Sequence, residues 1–489
     1  MTDPLAGLEP ALLWGRFSEL TRIARPSKAE GLAREHVLAW AAARSLQAQV
    51  DGEGNVVVRV PGSAGRENAT TVVLQSHLDM VCERDPASPF DPREGRIDVR
   101  IEDDWVRADG TTLGADNGIG VAAALAVADD PDLEHGPLEL LFTVSEEQGL
   151  DGAKALDASL VEGRMLVNLD GTSDGALTIG CAGSDHTHLR VTFSREPVPA
   201  DHVVLRAEVS GARGGHSGAD IAAGRVNAIK ALGRVLGAAH EAVPLRLASI
   251  AGGVSRNAIP RDAHAILAVA VELEQRFHDV AATELDAIAR QHAATDDALV
   301  LAISPVAADG VADTGSTGRV LDLVAAIPTG VVAMAPTLAG AVETSTSLTT
   351  ASTQNGTLAL GSMTRSSNAA ALDGVLATMH ALARLAGAEI EVRRSYPPWE
   401  PALDSELLAT AKATHARLFE SDPTLTVVHG GLECAVLGQR LSGVEMVSIG
   451  PEIVGPHAPG EKVRISSTQR FYRLLGGLLD DLSRPSPRG

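Results

Sequence analysis

Apolar and polar positions follow one another in two different styles along this chain. In the first style, short runs that are apolar throughout, at residues 72–76, 138–144 and 165–169, alternate with stretches of helical spacing at 8–24, 28–47 and 119–128. An apolar run without polar alternation suits a strand buried on both faces, and its alternation with helices predicts an α/β sheet covered on both sides. Residues 55–60 read as a further strand and 97–107 as a hairpin edge. After about residue 187 the style changes. Long alternating strands at 202–209 and 263–271, with helices at 221–236, 273–292 and 369–385, predict an α+β insert built on an antiparallel sheet. The Ser- and Thr-rich segment 342–358 suits exposed strands. Prolines between Tyr396 and Pro401 punctuate the chain, and the first style then returns with a helix at 405–418, an apolar strand at 445–449 and a C-terminal helix. The expected organisation is one α/β domain of residues 1–187 and 394–489, a mixed sheet covered by helices, interrupted by an α+β domain of residues 188–393.

The ends of the apolar strands carry polar residues of one chemical type. His77 and Asp79 end the run at 72–76, Glu146 and Glu147 follow 138–144, Asp170 follows 165–169, and His457 lies a loop beyond 445–449. Asp116 stands where a loop enters the helix at 119–128. In open α/β sheets, sites form outside the carboxyl ends of the strands, so these side chains can converge. Two imidazoles with several carboxylates form a ligand set suited to Zn, and also to Mn or Co. Carboxylates crowded into one pocket repel one another unless cations are present. Each residue, taken singly, also fits a plainer role: a loop histidine, a solvated Glu-Glu turn, an Asp that caps a helix, an Asp-Gly turn.

Length and composition narrow the partners. A chain of 489 residues suits two domains. A formal charge of −22 argues against a nucleic-acid partner, since neutralising phosphates needs a basic face. No secretory leader and no membrane-spanning run is read, and three widely spaced cysteines fit a reducing compartment, so a cytoplasmic setting is expected.

The motifs taken together resemble those of the M20 metallopeptidases, and within them the aminoacyl-histidine dipeptidases (Xaa-His dipeptidases of the PepD type). The resemblance rests on Ser76-His77-Leu78-Asp79-Met80-Val81, Thr112-Leu113-Gly114-Ala115-Asp116-Asn117-Gly118, Ser145-Glu146-Glu147, Asn168-Leu169-Asp170, Gly214-Gly215-His216-Ser217-Gly218, Arg256-Asn257-Ala258-Ile259-Pro260-Arg261, His429-Gly430-Gly431-Leu432-Glu433-Cys434, and Gly455-Pro456-His457. It implies a dinuclear site for two divalent ions, Zn or else Mn or Co. Asp116 would bridge them, with His77 and Asp170 on one side and Glu147 and His457 on the other. Asp79 would orient His77 and Glu146 would act as general base and acid. His216, from the inserted lid domain, would supply an oxyanion donor, and Asn257, Arg365, Gly430 and Gly431 would contact substrate. The implied activity is hydrolysis of unblocked dipeptides, Xaa-His dipeptides such as carnosine included, by a homodimer. The alternatives are an aminoacylase or carboxypeptidase of the same family acting on N-acyl amino acids, and a non-catalytic metal- or peptide-binding protein.

Overall fold

The computed structural model describes residues 3–484, which fall into two compact units. Among these residues, the first comprises 3–181, 399–428 and 432–484; the second comprises Ala182–Pro398 and His429–Gly431. The expected boundaries at 187/188 and 393/394 would cut two strands, Gly183–Thr192 and Glu389–Tyr396, which pair with each other in the second unit. A division there would break a sheet ladder, and the boundaries accordingly lie a few residues outside it.

The first unit is built on an eight-stranded mixed sheet. Four neighbours, Leu138–Thr143, Val72–His77, Met165–Asn168 and Glu445–Ser448, run parallel. Every residue of Val72–His77 and of Leu138–Thr143 is buried. This is the burial expected where helices cover both faces of a parallel sheet. Register then fixes the site. His77 pairs with Thr143, Gln75 with Asn168, and Ser448 with Asn168, so these strands end at one edge. The helix Ala115–Asp129 packs behind them, and its Ala-rich body is buried almost throughout. A separate four-stranded antiparallel sheet carries the hairpin of Ile453–Val454 and Lys462–Arg464, whose loop bears His457.

The second unit holds a nine-stranded antiparallel sheet with the helices Ala228–Ala242, Glu274–Gln291, Thr314–Ala326 and Ala369–Ala386 packed on it. Alternate residues Leu205, Ala207 and Val209 enter this core. The helix Ala369–Ala386 is, among the described residues, long and apolar enough to cross a membrane by length and composition. It buries the stripe Leu372, Val375, Met379 and Ala383, as an amphipathic core helix does.

Two expectations need correction. The helix placed at 221–236 begins only at Ala228: Gly224 takes the left-handed conformation at φ 66°, and the Asn227 side chain caps the new start by accepting from the N–H groups of Ile229 and Lys230. The strand Val342–Gln354 is largely buried, not exposed. It lies inside the sheet beside Thr357–Ser366, and two of its hydroxyls are matched across the ladder, Thr344 with Ser366 at 2.9 Å and Thr346 with Thr364 at 3.0 Å. Hydroxyl pairing of this kind lowers the cost of burying a Ser/Thr strand.

Phe142 is fully buried in the strand Leu138–Thr143 of the first unit's sheet. Phe142→Ala is expected to cost about 3–5 kcal/mol, read as a lower denaturation midpoint at unchanged folded spectrum.

Candidate metal centre

The strand edge of the first unit gathers His77, Asp116, Glu146, Glu147, Asp170 and His457. Three groups have donor atoms within 4.8 Å of one another: His77 with Asp116 and Asp170, Asp116 with Glu147 and His457, and His77 with Glu146 and Glu147. Asp116 belongs to two of them through different oxygens. Its Oδ1 lies 3.1 Å from His77 Nε2, and its Oδ2 lies 3.3 Å from His457 Nε2. His457 Nε2 also lies 3.0 Å from Glu147 Oε2, and His77 Nε2 lies 3.5 Å from Asp170 Oδ1.

Local structure delivers each group. His77 is the last residue of its strand. The Glu146-Glu147 pair follows a left-handed Ser145 at φ 52°, and the Glu30 carboxylate holds that turn by accepting the Ser145 N–H at 2.9 Å. Asp170 accepts from Asn117 Nδ2. His457 is itself left-handed, at φ 66°. Non-glycine residues in this region concentrate at functional sites because surrounding contacts must hold them there.

Asp79 does more than the sequence suggests. His77 Nδ1 lies 3.1 Å from the Asp79 carbonyl oxygen and 3.4 Å from its carboxylate. The same carboxylate accepts the N–H of Glu146 at 3.0 Å, that of Glu147 at 3.2 Å and the Ser27 hydroxyl at 2.7 Å. It therefore fixes the imidazole and the Glu-Glu turn together.

The electrostatics are those of a crowded anionic pocket. Burial pushes Asp79 up, but hydrogen bonding to His77 and Ser27 prevails and holds it at about 2. Burial likewise opposes ionisation of Asp116, yet its bonds to His457 and His77 hold it far below the ordinary carboxylate range. Burial and the Asp116 charge raise Asp170 to about 6. Burial, with repulsion from Asp170 and Glu147, lifts Glu146 well above its usual value. Bonds to Asp116 and Glu147 raise His457 to about 11. Glu147 Oε1 is buried and accepts no hydrogen bond. Two oxygen- and nitrogen-rich triads sharing one carboxylate, with an acceptor left unmatched inside them, fit divalent cations.

The other candidates belong to the second unit. His216 lies in the short strand Gly215–His216, paired with Ala258–Ile259, and the Asn257 carbonyl beside it accepts the Ser217 N–H at 2.7 Å. His216 Nδ1 accepts the N–H groups of Gly218 and Ala219 at 3.2 and 3.0 Å, which leaves its proton on Nε2. Burial and the Arg365 charge hold its pKa below the ordinary value. Arg365 is buried and donates to the Tyr396 hydroxyl at 3.2 Å. Gly431 lies against the same tyrosine, where a Cβ would come within 2.6 Å of the ring. Asn257 is exposed and Gly430 half-buried.

A dinuclear-type ligand set at the carboxyl edge of a helix-covered parallel sheet describes a metallohydrolase. Residues 73–481 match the model of peptidase family M20/M25/M40, and the chain belongs to that family. It is 36% identical over 479 residues to the cytosol non-specific dipeptidase of Escherichia coli K12, a match covering 98% of this chain and 99% of the relative. The crystal structure of the aminoacylhistidine dipeptidase from Vibrio alginolyticus superposes with a TM-score of 0.90 at 34% identity over 97% of each chain. The aminopeptidase PepT of Bacillus cereus shares the fold, with a TM-score of 0.57 at 16% identity over 98% of this chain and all of that one.

Several residues around the site hold roles that the sequence did not assign them. Glu433 is fully buried and accepts from Gln75 Nε2 at 2.5 Å and Thr143 Oγ1 at 2.7 Å, and Asn168 Nδ2 donates to Gln75 Oε1 at 2.6 Å. This network ties together, beneath the site, the three strands that lead to His77, Glu146 and Asp170. Arg25 and Glu461, considered below, are equally buried. A lone Arg before a proline and a Glu after Pro-Gly look like turn residues, and only tertiary placement distinguishes them.

Burial raises the Glu433 carboxyl to about 7, against the lowering influence of His77 and Thr143. A native pKa above the unfolded value means the folded state holds its proton longer. The stabilisation is complete below about 4.3 and is lost as pH rises through about 7. Metal-free wild type is therefore expected to lose stability relative to Glu433→Gln between those limits in denaturant titrations. A constant difference would contradict the assignment.

Proposed function

We propose that this chain is a dinuclear metal-dependent dipeptidase acting on unblocked dipeptides, Xaa-His dipeptides such as carnosine among them. The observation that carries the reading is Asp116, whose two oxygens face two different imidazoles. His77 and Asp170 would hold one ion with Asp116, and Glu147 and His457 would hold the other. The names of the Escherichia coli and Vibrio alginolyticus relatives support the substrate class. Zn is the expected metal, with Mn or Co as substitutes that the same donors accept.

When bound, such ions acidify water and polarise a peptide carbonyl. The chain's own residues supply the rest. Glu146, ionised when cations offset the neighbouring carboxylates, takes a proton from the attacking water and returns it to the leaving amine. Asp79 keeps the His77 ring and the Glu146 backbone in register. His216, neutral and protonated on Nε2, donates to the oxyanion that develops. Arg365 pairs with the substrate carboxylate, while Asn257, Gly430 and Gly431 contact the substrate backbone. The first unit would form the catalytic domain in this reading, and the second, Ala182–Pro398 with His429–Gly431, would form the lid. A cytoplasmic homodimer is the expected state, and sedimentation of the purified protein tests the assembly.

Glu146→Gln is expected to retain its metal by mass spectrometry and to lose about 10²–10⁴ of kcat. Full activity would remove Glu146 from the chemistry. A panel of free and N-acetylated dipeptides, assayed after metal stripping and reconstitution with Zn, Mn or Co, should show turnover of the free forms alone. Preference for the acetylated forms would point to an aminoacylase, and no turnover at all to a binding protein.

A further inference from the structure

The loop that carries Asp116 is gripped from two sides by buried residues of opposite charge. On one side Glu461 accepts four consecutive N–H groups. Its Oε2 takes those of Leu113 at 2.7 Å and Gly114 at 2.9 Å, and its Oε1 takes those of Ala115 at 2.8 Å and Asp116 at 3.2 Å. On the other side Arg25 Nη2 donates to the Gly114 carbonyl at 2.5 Å, and Nη1 donates to the carbonyls of Leu78 and Asp79 at 3.0 Å each. Glu461 is 2% exposed and Arg25 1%.

The glycines of this motif leave room for the guanidinium. Gly114 has φ 72°, and a Cβ on it would lie 2.5 Å from Arg25 Nη2; a Cβ on Gly118 would lie 2.6 Å from the same nitrogen. A buried charge is costly unless hydrogen bonds match it, and here backbone groups of the site loops meet both Glu461 oxygens and both terminal nitrogens of Arg25, its Nε alone being left without a partner. The two clamps lead to different places. Arg25 joins the Gly114 carbonyl to the segment just after His77. Glu461 lies four residues beyond His457, in the same hairpin, and joins that hairpin to Asp116.

We propose that Glu461 and Arg25 are positioning residues for the shared carboxylate: Glu461 registers Asp116 against His457, and Arg25 registers it against His77. This rests on the reading that Asp116 serves two ions. Each clamp then governs one of the two metal affinities rather than overall stability alone. Glu461→Gln is the sharp test. A glutamine offers one acceptor oxygen where four N–H groups converge on two, and it turns its own NH₂ toward the others.

The full-length protein, stripped of metal, is titrated with Co(II) by calorimetry, with the visible Co(II) spectrum recorded alongside. Wild type should take two equivalents. In E461Q, one affinity should fall about 10–100-fold while the other holds. The equivalent affected should be the one lost in H457A, so that E461Q adds nothing to H457A. E461D, which keeps both oxygens, should recover part of the loss. R25K should weaken the equivalent that H457A retains. Two unchanged affinities and an unchanged spectrum in E461Q, whatever its melting temperature, would overturn the proposal. A single equivalent in wild type would overturn the shared-carboxylate reading instead. If E461Q does not fold, amide exchange in metal-free wild type decides: protection at 113–116 is required, and exchange at unfolded rates overturns the clamp.

Discussion

Everything at this site follows from the mutual repulsion of carboxylates placed in a buried pocket. Asp116, Asp170, Glu146 and Glu147 all sit within reach of one another's charge, and two unit charges about 4 Å apart interact by about 4 kcal/mol at the effective dielectric of a protein near its surface. Such a group stays ionised only with positive charge nearby. In the metal-free protein the imidazoles of His77 and His457 serve this purpose, which is why both are held protonated above their ordinary range. On the proposed ligand set, cation binding would displace those protons, linking metal affinity and pH through the same pair of histidines.

The fold's contribution is to brace this pocket with buried polar contacts. Parallel strands in register bring His77, Thr143 and Asn168 to one level. The buried Glu433–Gln75–Asn168 network fixes the strands beneath. Asp79 joins the first imidazole to the Glu-Glu turn, and Arg25 with Glu461 confines the Asp116 loop. Satisfied polar networks of this kind specify one arrangement because each alternative leaves a buried group unpaired.

What was legible in the sequence, and what was not, divides along the same physical line. The strand ends could be read because a run apolar on both faces stops abruptly at a ligand-type residue, as at His77, Glu146 and Asp170. The motifs then joined Asp116 and His457 to them. Glu433 stood inside a recognised motif, but its role, like those of Arg25 and Glu461, was hidden because it depends on contacts with residues 53 to 358 positions away, which no local period records. The buried strand Val342–Gln354 looked exposed for a related reason. A hydroxyl reads as polar in sequence, while its burial is decided by the partner across the ladder. The start of the helix Ala228–Ala242 was misplaced because Gly224 and the Asn227 cap outweigh the apolar spacing before them.

The central claim is that one carboxylate, Asp116, joins two ions. Electron paramagnetic resonance of the protein loaded with two equivalents of Mn(II) tests it most directly. A shared carboxylate should give the spectrum of an exchange-coupled pair, and Asp116→Asn should abolish the coupling. Two magnetically isolated Mn(II) ions in the wild-type protein would contradict it.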